Sequence, residues 1–238
     1  MSTATFPTIT KEDIFLQLQH IGQKESFSNE YYPFIDMMVQ SVASLKKSGE
    51  ISNEDITRIQ NFFGQDFLEN TLHGMALLKK YGYAGDFLMI DKIYTGNTSA
   101  NTFFQSWDAY FQNHAAPKAV RNRKEFFKKM LQRKLALTGN VQLLNVASGP
   151  SRDLLELYSG LTPQQQLQTT CVEMDKNAID YAVNLLTDHV QHIDFINRNI
   201  FKFETDKKFD IIWSAGLFDY FDDKAFVFIL RKFKTWVA

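Results

Sequence analysis

Three small residues stand at the point of this sequence that is best suited to hold a ligand. Ala147, Ser148 and Gly149 follow the apolar run Val141–Val146, and a helical pattern starts at Arg152. The run predicts a buried strand of a parallel sheet that ends at Asn145 and Val146. Small side chains let a ligand approach the backbone, and a helix start offers unpaired N–H groups. The stretch therefore predicts a pocket for a polar ligand.

The glycine pattern of this turn is incomplete. Only Gly149 remains of a G-x-G-x-x-G motif, so the dinucleotide fingerprint is poorly met and a dehydrogenase is disfavoured. By spacing alone, a nucleotide-like site and an ordinary strand-to-helix connection are both open.

A second strand-and-helix unit favours the nucleotide-like site. Thr169–Val172 predicts a strand that ends at Glu173, and Asp175 can cap a helix from Lys176 to Leu186. A carboxylate at this strand end, 24 positions after Gly149, suits a ribose because both hydroxyls can donate to its oxygens. The alternative is that Glu173 is a solvated strand-end acid.

Two further strands follow in the sequence. We predict the third at His192–Ile196 and the fourth at Phe209–Trp213, with Asp222 at the start of the next helix. Ligands of open α/β sheets bind beyond the carboxyl ends of the strands. One crevice is therefore expected to contain the strand-end residues Gly149, Glu173, Asn199 and Gly216.

Several segments resemble the motifs of class I S-adenosylmethionine-dependent methyltransferases, in the same order. They are LNVASGPSRD, CVEMDKNAIDYA and FDIIWSAGLFDYFDD. With the upstream GYAGDFLMIDKIY and AVRNRKEFF, they are similar to one bacterial branch, the extracellular-factor 3-hydroxypalmitic acid methyl ester biosynthesis proteins. The resemblance covers roughly residues 75 to 230. It implies S-adenosylmethionine as cofactor, S-adenosylhomocysteine as product, and carboxyl O-methylation of a small or 3-hydroxy fatty acid.

The resemblance also implies roles for individual residues. The first loop would approach the methionine part of the cofactor, Glu173 would hold the ribose, and Asn199 and Ile200 would flank the adenine. The alternative interpretation of Asn199 is a plain turn asparagine. The full expected cofactor set is Asn145, Ala147, Ser148, Gly149, Glu173, Met174, Asn199, Ile200, Ser214, Ala215 and Gly216; the expected catalytic set is Tyr83, Asp86, Arg121, Arg123 and Tyr220.

The GYAGD segment, residues 82–86, allows two interpretations. Its paired glycines beside aromatic residues indicate a tight turn. Residue patterns alone favour a helix corner in which Asp86 caps a helix from Phe87 to Tyr94. The resemblance favours a lid, with Tyr83 and Asp86 facing the pocket.

Lys118–Lys134 carries eight basic residues and one acid, Glu125. Phe127, Leu131 and Leu135 recur at four-residue steps, so an amphipathic helix with mostly solvated charges is predicted. The arginine fork suits a carboxylate, so Arg121 or Arg123 is a candidate to reach the active site; the alternative is that both face solvent or the protein's own acids. A carboxylate acceptor is already a nucleophile at neutral pH, whereas a hydroxyl acceptor would need a base such as Asp86, His73 or Tyr220.

Composition sets limits on the class of protein. The chain has 238 residues, a formal net charge of -1 and a single cysteine, Cys171. These values predict a globular chain without an intramolecular disulfide, in a reducing cytoplasm, and nucleic acid is not an expected partner. Neither a secretory signal nor a membrane-spanning run is evident, and the five histidines show no metal-ligand spacing, so no metal is expected.

The predicted architecture is α/β: a helical cap over residues 1–138, then a Rossmann-like domain over 139–238 with parallel strands. The resemblance implies seven strands, of which only the first four have counterparts. We therefore expect either a shortened sequence or a second chain, of the same or another kind, that covers the exposed sheet edge.

Two functions from other classes remain open at this point. One is a non-catalytic adenosyl-binding interaction module. The other is an RNA methyltransferase or RNA-binding protein that uses the basic helix, which salt-sensitive RNA retention would support.

Overall fold

A computed structural model describes residues 9–83 and 85–238 of the chain. The chain divides into two compact units. The helical unit contains residues 9–83, 85 and 96–117. The sheet unit contains Asp86–Thr95 and Lys118–Ala238.

Local capping signals determine where the helices of the helical unit begin. Thr10 and Ser52 each accept a backbone N–H three residues on, while the acids Asp13 and Asp55 bond back to them. These reciprocal capping boxes satisfy donors that a helix start otherwise leaves unpaired. Gly49 ends the second helix at a φ of 82°. The helices are α1 Lys11–Gly22, α2 Tyr32–Ser48, α3 Asn53–Gln60, α4 Gly64–Asn70, α5 Leu72–Leu78 and α7 Thr102–Asn113.

The core of the helical unit is rich in aromatic side chains. Phe27 and Phe67 each pack against Trp107, with ring centroids 5.4 and 5.7 Å apart, and aliphatic residues of α1 and α2 complete the cluster. The aromatic residues of these helices and Met38 therefore serve in packing.

The sheet unit alternates strands and helices along the chain. Asp175 and Asp222 cap their helices as predicted, because each side chain accepts a backbone N–H of the following turn. The strands are β1 Asn140–Val146, β2 Gln166–Glu173, β3 Ile193–Asn197 and β4 Ile211–Ser214. The helices are α6 Phe87–Thr95, α8 Ala115–Thr138, α9 Arg152–Tyr158, α10 Lys176–Leu185 and α11 Asp223–Trp236.

The four strands form one parallel sheet in the order β3-β2-β1-β4. Val146 pairs with both Val172 and Ser214, so the carboxyl ends of β1, β2 and β4 lie at one edge. The predicted α/β class with a Rossmann-like parallel sheet is confirmed. The strand order changes direction at β1, where ligands of such sheets bind.

Helix α8 packs on the sheet through the residues that its periodicity indicated. Phe127, Leu131 and Leu135 are buried in one cluster with Val141 and Leu143 of β1. The division into compact units therefore does not coincide with the predicted domain boundary at residue 138. A functional cap over residues 1–138 stays a prediction.

One charge of α8, that of Lys124, is an exception to the mostly solvated charges expected of this helix. Lys124 is buried, and its Nζ lies 2.5 Å from Glu156 Oε1; Lys128 Nζ lies 2.6 Å from Glu156 Oε2. A buried ammonium requires such a partner because desolvation is costly. Within the described ranges, no helix is both long and apolar enough to span a membrane.

Candidate active site at the carboxyl ends of the strands

The loop after β1 has an unusual backbone. Ala147, Gly149 and Ser151 all have positive φ, at 52°, 54° and 54°. This conformation costs a non-glycine residue about 1–2 kcal/mol, and two of the three are not glycine. Ala147 N donates to Val172 O at 2.8 Å, which holds the start of the loop beside β2. Strained backbone of this kind is concentrated at functional sites.

Glu173 connects this loop to the end of β2. Its Oε2 accepts the Gly149 N–H at 3.0 Å, and its Oε1 accepts the N–H groups of Met174 and Asp175 at 2.7 and 2.9 Å. A carboxylate offers about four acceptor positions, so one remains, on Oε2 beside the glycine loop. Glu173 is therefore not the freely solvated acid of the alternative interpretation. It is tied to the backbone of both loops.

Two asparagines at the end of β3 and just beyond it are held by hydrogen bonds to the end of β2 and within their own turn. Asn197 Nδ2 donates to Glu173 O and Met174 O, at 3.1 and 2.9 Å. Asn199 Oδ1 accepts the Phe201 N–H and caps a short 3-10 helix, while its Nδ2 lies 3.4 Å from Met174 Sδ. Asn199 thus has the turn role that the sequence left open, and it also lies beside Met174. A role at adenine stays a prediction for both.

Two of the remaining cofactor candidates belong largely to the core. Ile200 is buried among Val146, Val172 and Phe203. Asn145 is buried within β1, between Cys171 and Trp213 in the register. Neither observation tests a contact with a ligand.

The end of β4 lies directly beside the end of β1. Ser214 Oγ donates to Val146 O at 3.0 Å, and Ala215 and Gly216 continue the chain, with a φ of 88° at Gly216. A methyl group placed on Gly216 would lie 3.4 Å from Arg123 Nη1 and 3.9 Å from Asp219 Oδ2. Arg123 of α8 therefore lies close to this strand end, and a role for it in the active site stays a prediction.

Arg123 also contacts α6. It donates a hydrogen bond to the Tyr94 hydroxyl, yet its Nε is buried without a hydrogen-bond partner among the described residues. Burial, followed by the charge of Asp153, raises the pKa of Tyr94 to about 12, so the phenol stays protonated at neutral pH. Arg123 and Asp153 thus both lie near the buried Tyr94, on the side of α6.

Asp153 is a buried acid that the sequence analysis did not select. Its Oδ1 accepts the Leu154 N–H at 2.9 Å. Burial raises its pKa to about 6, and the nearby Glu156 adds to this effect while Lys124 opposes it. At neutral pH the group is mostly ionised. An acid directly after a small-residue loop was the signal available in the sequence.

A second missed cluster joins α6 to two helices of the sheet. Arg152 binds Asp91 in a bidentate ion pair, and the Tyr181 hydroxyl donates to Asp91 Oδ2 at 2.7 Å. Because Asp91 precedes Arg152 by 61 positions, no sequence spacing indicated the pair.

The other catalytic candidates have less specific surroundings. Asp86 is buried and caps α6, since its Oδ1 accepts the Met89 N–H at 3.0 Å. This is the helix-cap role that residue patterns favoured. Tyr220 is 59% exposed, and partial burial raises its pKa. Tyr83 belongs to the helical unit and Arg121 to the sheet unit. Ala84 of the GYAGD segment lies outside the described residues, and the catalytic roles stay predictions.

His73, the alternative base, lies in the helical unit against Trp107, Tyr110 and Phe111. Burial is the main cause that lowers its pKa to about 4, and the charge of His114 adds to it. The imidazole is therefore neutral at physiological pH, as a general base must be.

Two surface cavities lie away from these strand ends. One, of about 320 Å³, is lined by Phe126, Lys129, Met130 and Arg133 of α8. The other, of about 290 Å³, is lined by Tyr158, His192 and residues 161 and 165–168. Neither includes a predicted site residue. No group of three or more His, Cys, Asp or Glu in the part of the chain described could hold a metal.

Comparison with solved structures supports the fold. A possible exported protein from Bordetella parapertussis is 20% identical, with a TM-score of 0.61 over 95% of this chain and 66% of that chain. At this identity the match shows the fold alone. This chain thus spans slightly less than two thirds of that protein's length.

Shorter overlaps involve methyltransferases. The DhpI–SAH complex is 22% identical over 45% of this chain and 49% of that chain, with a TM-score of 0.37. The N-methyltransferase NodS from Bradyrhizobium japonicum WM9 is 18% identical over 48% and 62%, with a TM-score of 0.40. These scores are too low to support an inference. No family model and no curated protein matches the chain.

Proposed function

We propose that the chain is an S-adenosylmethionine-dependent methyltransferase whose cofactor binds at the carboxyl ends of β1 to β4. The observation that carries the proposal is the hydrogen bond from Gly149 N to Glu173 Oε2. It brings the small-residue loop and the ribose-type acid of the sequence motifs together at the point where the strand order reverses. The ordered series of motifs in the sequence supports the cofactor class.

The residues at these strand ends suit the parts of such a cofactor. Ala147, Ser148 and Gly149 would hold the methionine part. Glu173 would bind the ribose through the acceptor position left on Oε2, and a second ribose hydroxyl would have to displace a backbone N–H. Met174 and Asn199 would lie along the adenine, which needs one apolar surface and one polar edge.

The cofactor, when bound, supplies an electrophilic methyl group on a sulfonium. The protein's task is then to align the acceptor with that methyl group and to exclude water. Tyr94 stays a phenol at neutral pH and is hydrogen-bonded to Arg123, so both side chains are held in place before any acceptor binds.

For the acceptor we propose the carboxylate of a small or 3-hydroxy fatty acid. The resemblance supplies this class, and the arginines of α8, Arg121 and Arg123, supply forks for a carboxylate. Such an acceptor needs no general base, because carboxylates are ionised at neutral pH. The buried Asp86 is already engaged as a helix cap, which is consistent with chemistry that requires no base there.

Two experiments test the proposal. Calorimetry of the protein with S-adenosylmethionine, S-adenosylhomocysteine and NAD should show binding of the first two only; binding of NAD alone would overturn it. Labelled cofactor should then be incubated with 3-hydroxy fatty acids, phenols and RNA. Base-labile methyl ester on the acids is expected. Label on phenols or RNA alone would overturn the acceptor class and leave the cofactor class standing.

The RNA alternative has less support from the structure than from the sequence. Lys124 and Lys128, two of the basic residues of α8, form ion pairs with Glu156. Phosphate contacts need cations that face solvent. The non-catalytic binding module predicts cofactor binding without methyl transfer to any acceptor of the panel.

A further inference from the structure

Lys232 of α11 is buried although it carries a charge. Its side chain is 9% exposed, and it lies on the same face of the helix as the buried Ile229 and Trp236. Helix positions that face a core are normally apolar, because removing an ammonium from water costs free energy that only close polar partners offset. A lysine at this position therefore has a polar task inside the protein.

The partners of Lys232 are the backbone oxygens of one short turn. Its Nζ donates to the carbonyl oxygens of Ile200, Phe201 and Phe203, at 3.3, 3.1 and 2.6 Å. Glu204 Oε1 lies 2.9 Å from the same atom, but the side chain of this acid is 77% exposed, so the carbonyls are the buried partners. Carbonyls at the end of a helical turn have no partner within the turn, and a nearby lysine can satisfy them. Lys232 thus closes the carbonyl end of this turn.

The other end of the turn is closed by Asn199. Its Oδ1 accepts the Phe201 N–H at 2.9 Å, and its Nδ2 lies 3.4 Å from Sδ of Met174, the residue after Glu173. Ile200, which follows Asn199, is buried. The turn that carries the two expected adenine residues is therefore fixed at both ends, and one of these ends is held from α11.

We propose that Lys232 is a positioning residue for recognition of the adenine base. By binding three carbonyls of the turn, it holds Asn199 and Ile200 in one place relative to the end of β2, so the polar edge of the base always meets the same partners. The inference rests on the proposed function, because that function is what brings an adenine to this turn. Lys232 acts through the turn and does not itself contact the base.

A fixed polar edge makes the protein choose between adenine and hypoxanthine. Adenine carries an amino group, which is a donor, where hypoxanthine carries a carbonyl, which is an acceptor. A site whose polar groups are held in one geometry leaves a group unpaired when donor and acceptor are exchanged. The ratio of the affinities for S-adenosylhomocysteine and S-inosylhomocysteine measures this preference. A change that merely loosens the whole protein leaves the ratio as it was.

Two substitutions of Lys232 test the inference by calorimetry with each ligand. Lys232→Met removes the charge and the donors and keeps most of the aliphatic stem. It should weaken S-adenosylhomocysteine binding roughly 10-fold, the scale of lost hydrogen bonds, and S-inosylhomocysteine binding less, so that the preference for adenine falls. Lys232→Gln is one atom shorter and neutral, and it should lower the preference by a smaller factor. If the Met variant does not fold, the Gln variant decides the test alone.

Two further variants are controls. Lys234→Met removes an exposed lysine of α11, and Glu204→Gln removes the carboxylate beside Lys232 but none of the carbonyls. Both should keep the preference of the unmodified protein. Urea unfolding of every variant separates a loss of stability from a loss of preference, because a purely structural lysine would lower the free energy of unfolding and leave the preference unchanged.

The outcomes separate this inference from the proposed function. If the unmodified protein binds neither ligand, the proposed function fails and the inference fails with it. If it binds S-adenosylhomocysteine without preferring it to S-inosylhomocysteine, only the inference is overturned. An unchanged preference in the folded Lys232 variants overturns it as well.

Discussion

Arg152 and Asp91 form a bidentate ion pair, with Nε 2.7 Å from Oδ1 and Nη2 3.0 Å from Oδ2. Arg152 is the first residue of α9, directly after the β1 loop, and Asp91 lies in the middle of α6. The pair therefore fastens α6 to the candidate cofactor loop. Tyr181 of α10 binds the same carboxylate. The pairing raises the pKa of Arg152, and burial is the main cause that raises the pKa of Tyr181.

Breaking this ion pair should destabilise the protein markedly. Asp91→Asn or Arg152→Met should each lower the free energy of unfolding by about 2–4 kcal/mol, because the partner is left largely buried and uncompensated. The double variant should lose less than the sum of the two. Urea unfolding measures these values.

The control for this cycle is the exposed pair Lys176–Asp180 on α10. Its removal should cost below about 1 kcal/mol, as is usual for solvent-exposed ion pairs. Equal effects for the two pairs would contradict a special role for Asp91.

Glu173 should matter for both the ligand and the loops. Glu173→Ala removes the acceptor of three backbone N–H groups and the candidate ribose contact. We expect S-adenosylhomocysteine binding to weaken by about 1–3 kcal/mol. Calorimetry measures this, with Asp180→Asn on the exposed face of α10 as control. Undiminished affinity in a folded Glu173→Ala protein would refute the ribose assignment.

Asp153 should make stability depend on pH in a defined direction. Its pKa is about 6 in the folded chain and close to 3.8 when unfolded, so the native state holds the proton more tightly. The stability that the bound proton contributes to the native state is complete below pH 3.8 and is lost as the pH rises through 6. Asp153→Asn should therefore have a free energy of unfolding about 1–3 kcal/mol higher than that of the parent at about pH 7, because one pKa unit is worth about 1.4 kcal/mol. Urea unfolding measures this difference.

The same comparison at about pH 4 should show little difference between Asp153→Asn and the parent. Asp188→Asn, an exposed acid on the same unit, is the control and should not alter the pH dependence. A constant difference at both pH values would argue that the amide changes packing rather than charge.

The GYAGD segment should respond to the cofactor if it acts as a lid. Hydrogen exchange at residues 81–87 should slow when S-adenosylhomocysteine binds, because lids close over bound ligands and exclude water. Mass spectrometry of peptides from this segment and from α1 gives the measurement and its control. Identical exchange with and without ligand would favour the plain helix corner capped by Asp86.

The sequence by itself determined the local elements of this protein. Thr10, Ser52, Asp175 and Asp222 mark helix starts because a capping side chain bonds to backbone only two or three residues away. The four strands and their parallel class followed from apolar runs that alternate with helical periodicity. The lysine-rich α8 showed its buried face, Phe127, Leu131 and Leu135, in its spacing.

Only the tertiary structure decided which distant polar groups meet. Periodicity indicates the face that a helix buries, but not the residue that the face will contact. Three pairs of residues lie close together although they are 32 to 93 positions apart in the sequence. They are Asp91 with Arg152, Lys124 with Glu156, and Arg123 with Gly216. The sequence selected Arg123 by residue type and family resemblance. Its buried Nε has no hydrogen-bond partner among the described residues, which depends on how α8 packs beside the end of β4, and no local pattern contains that information.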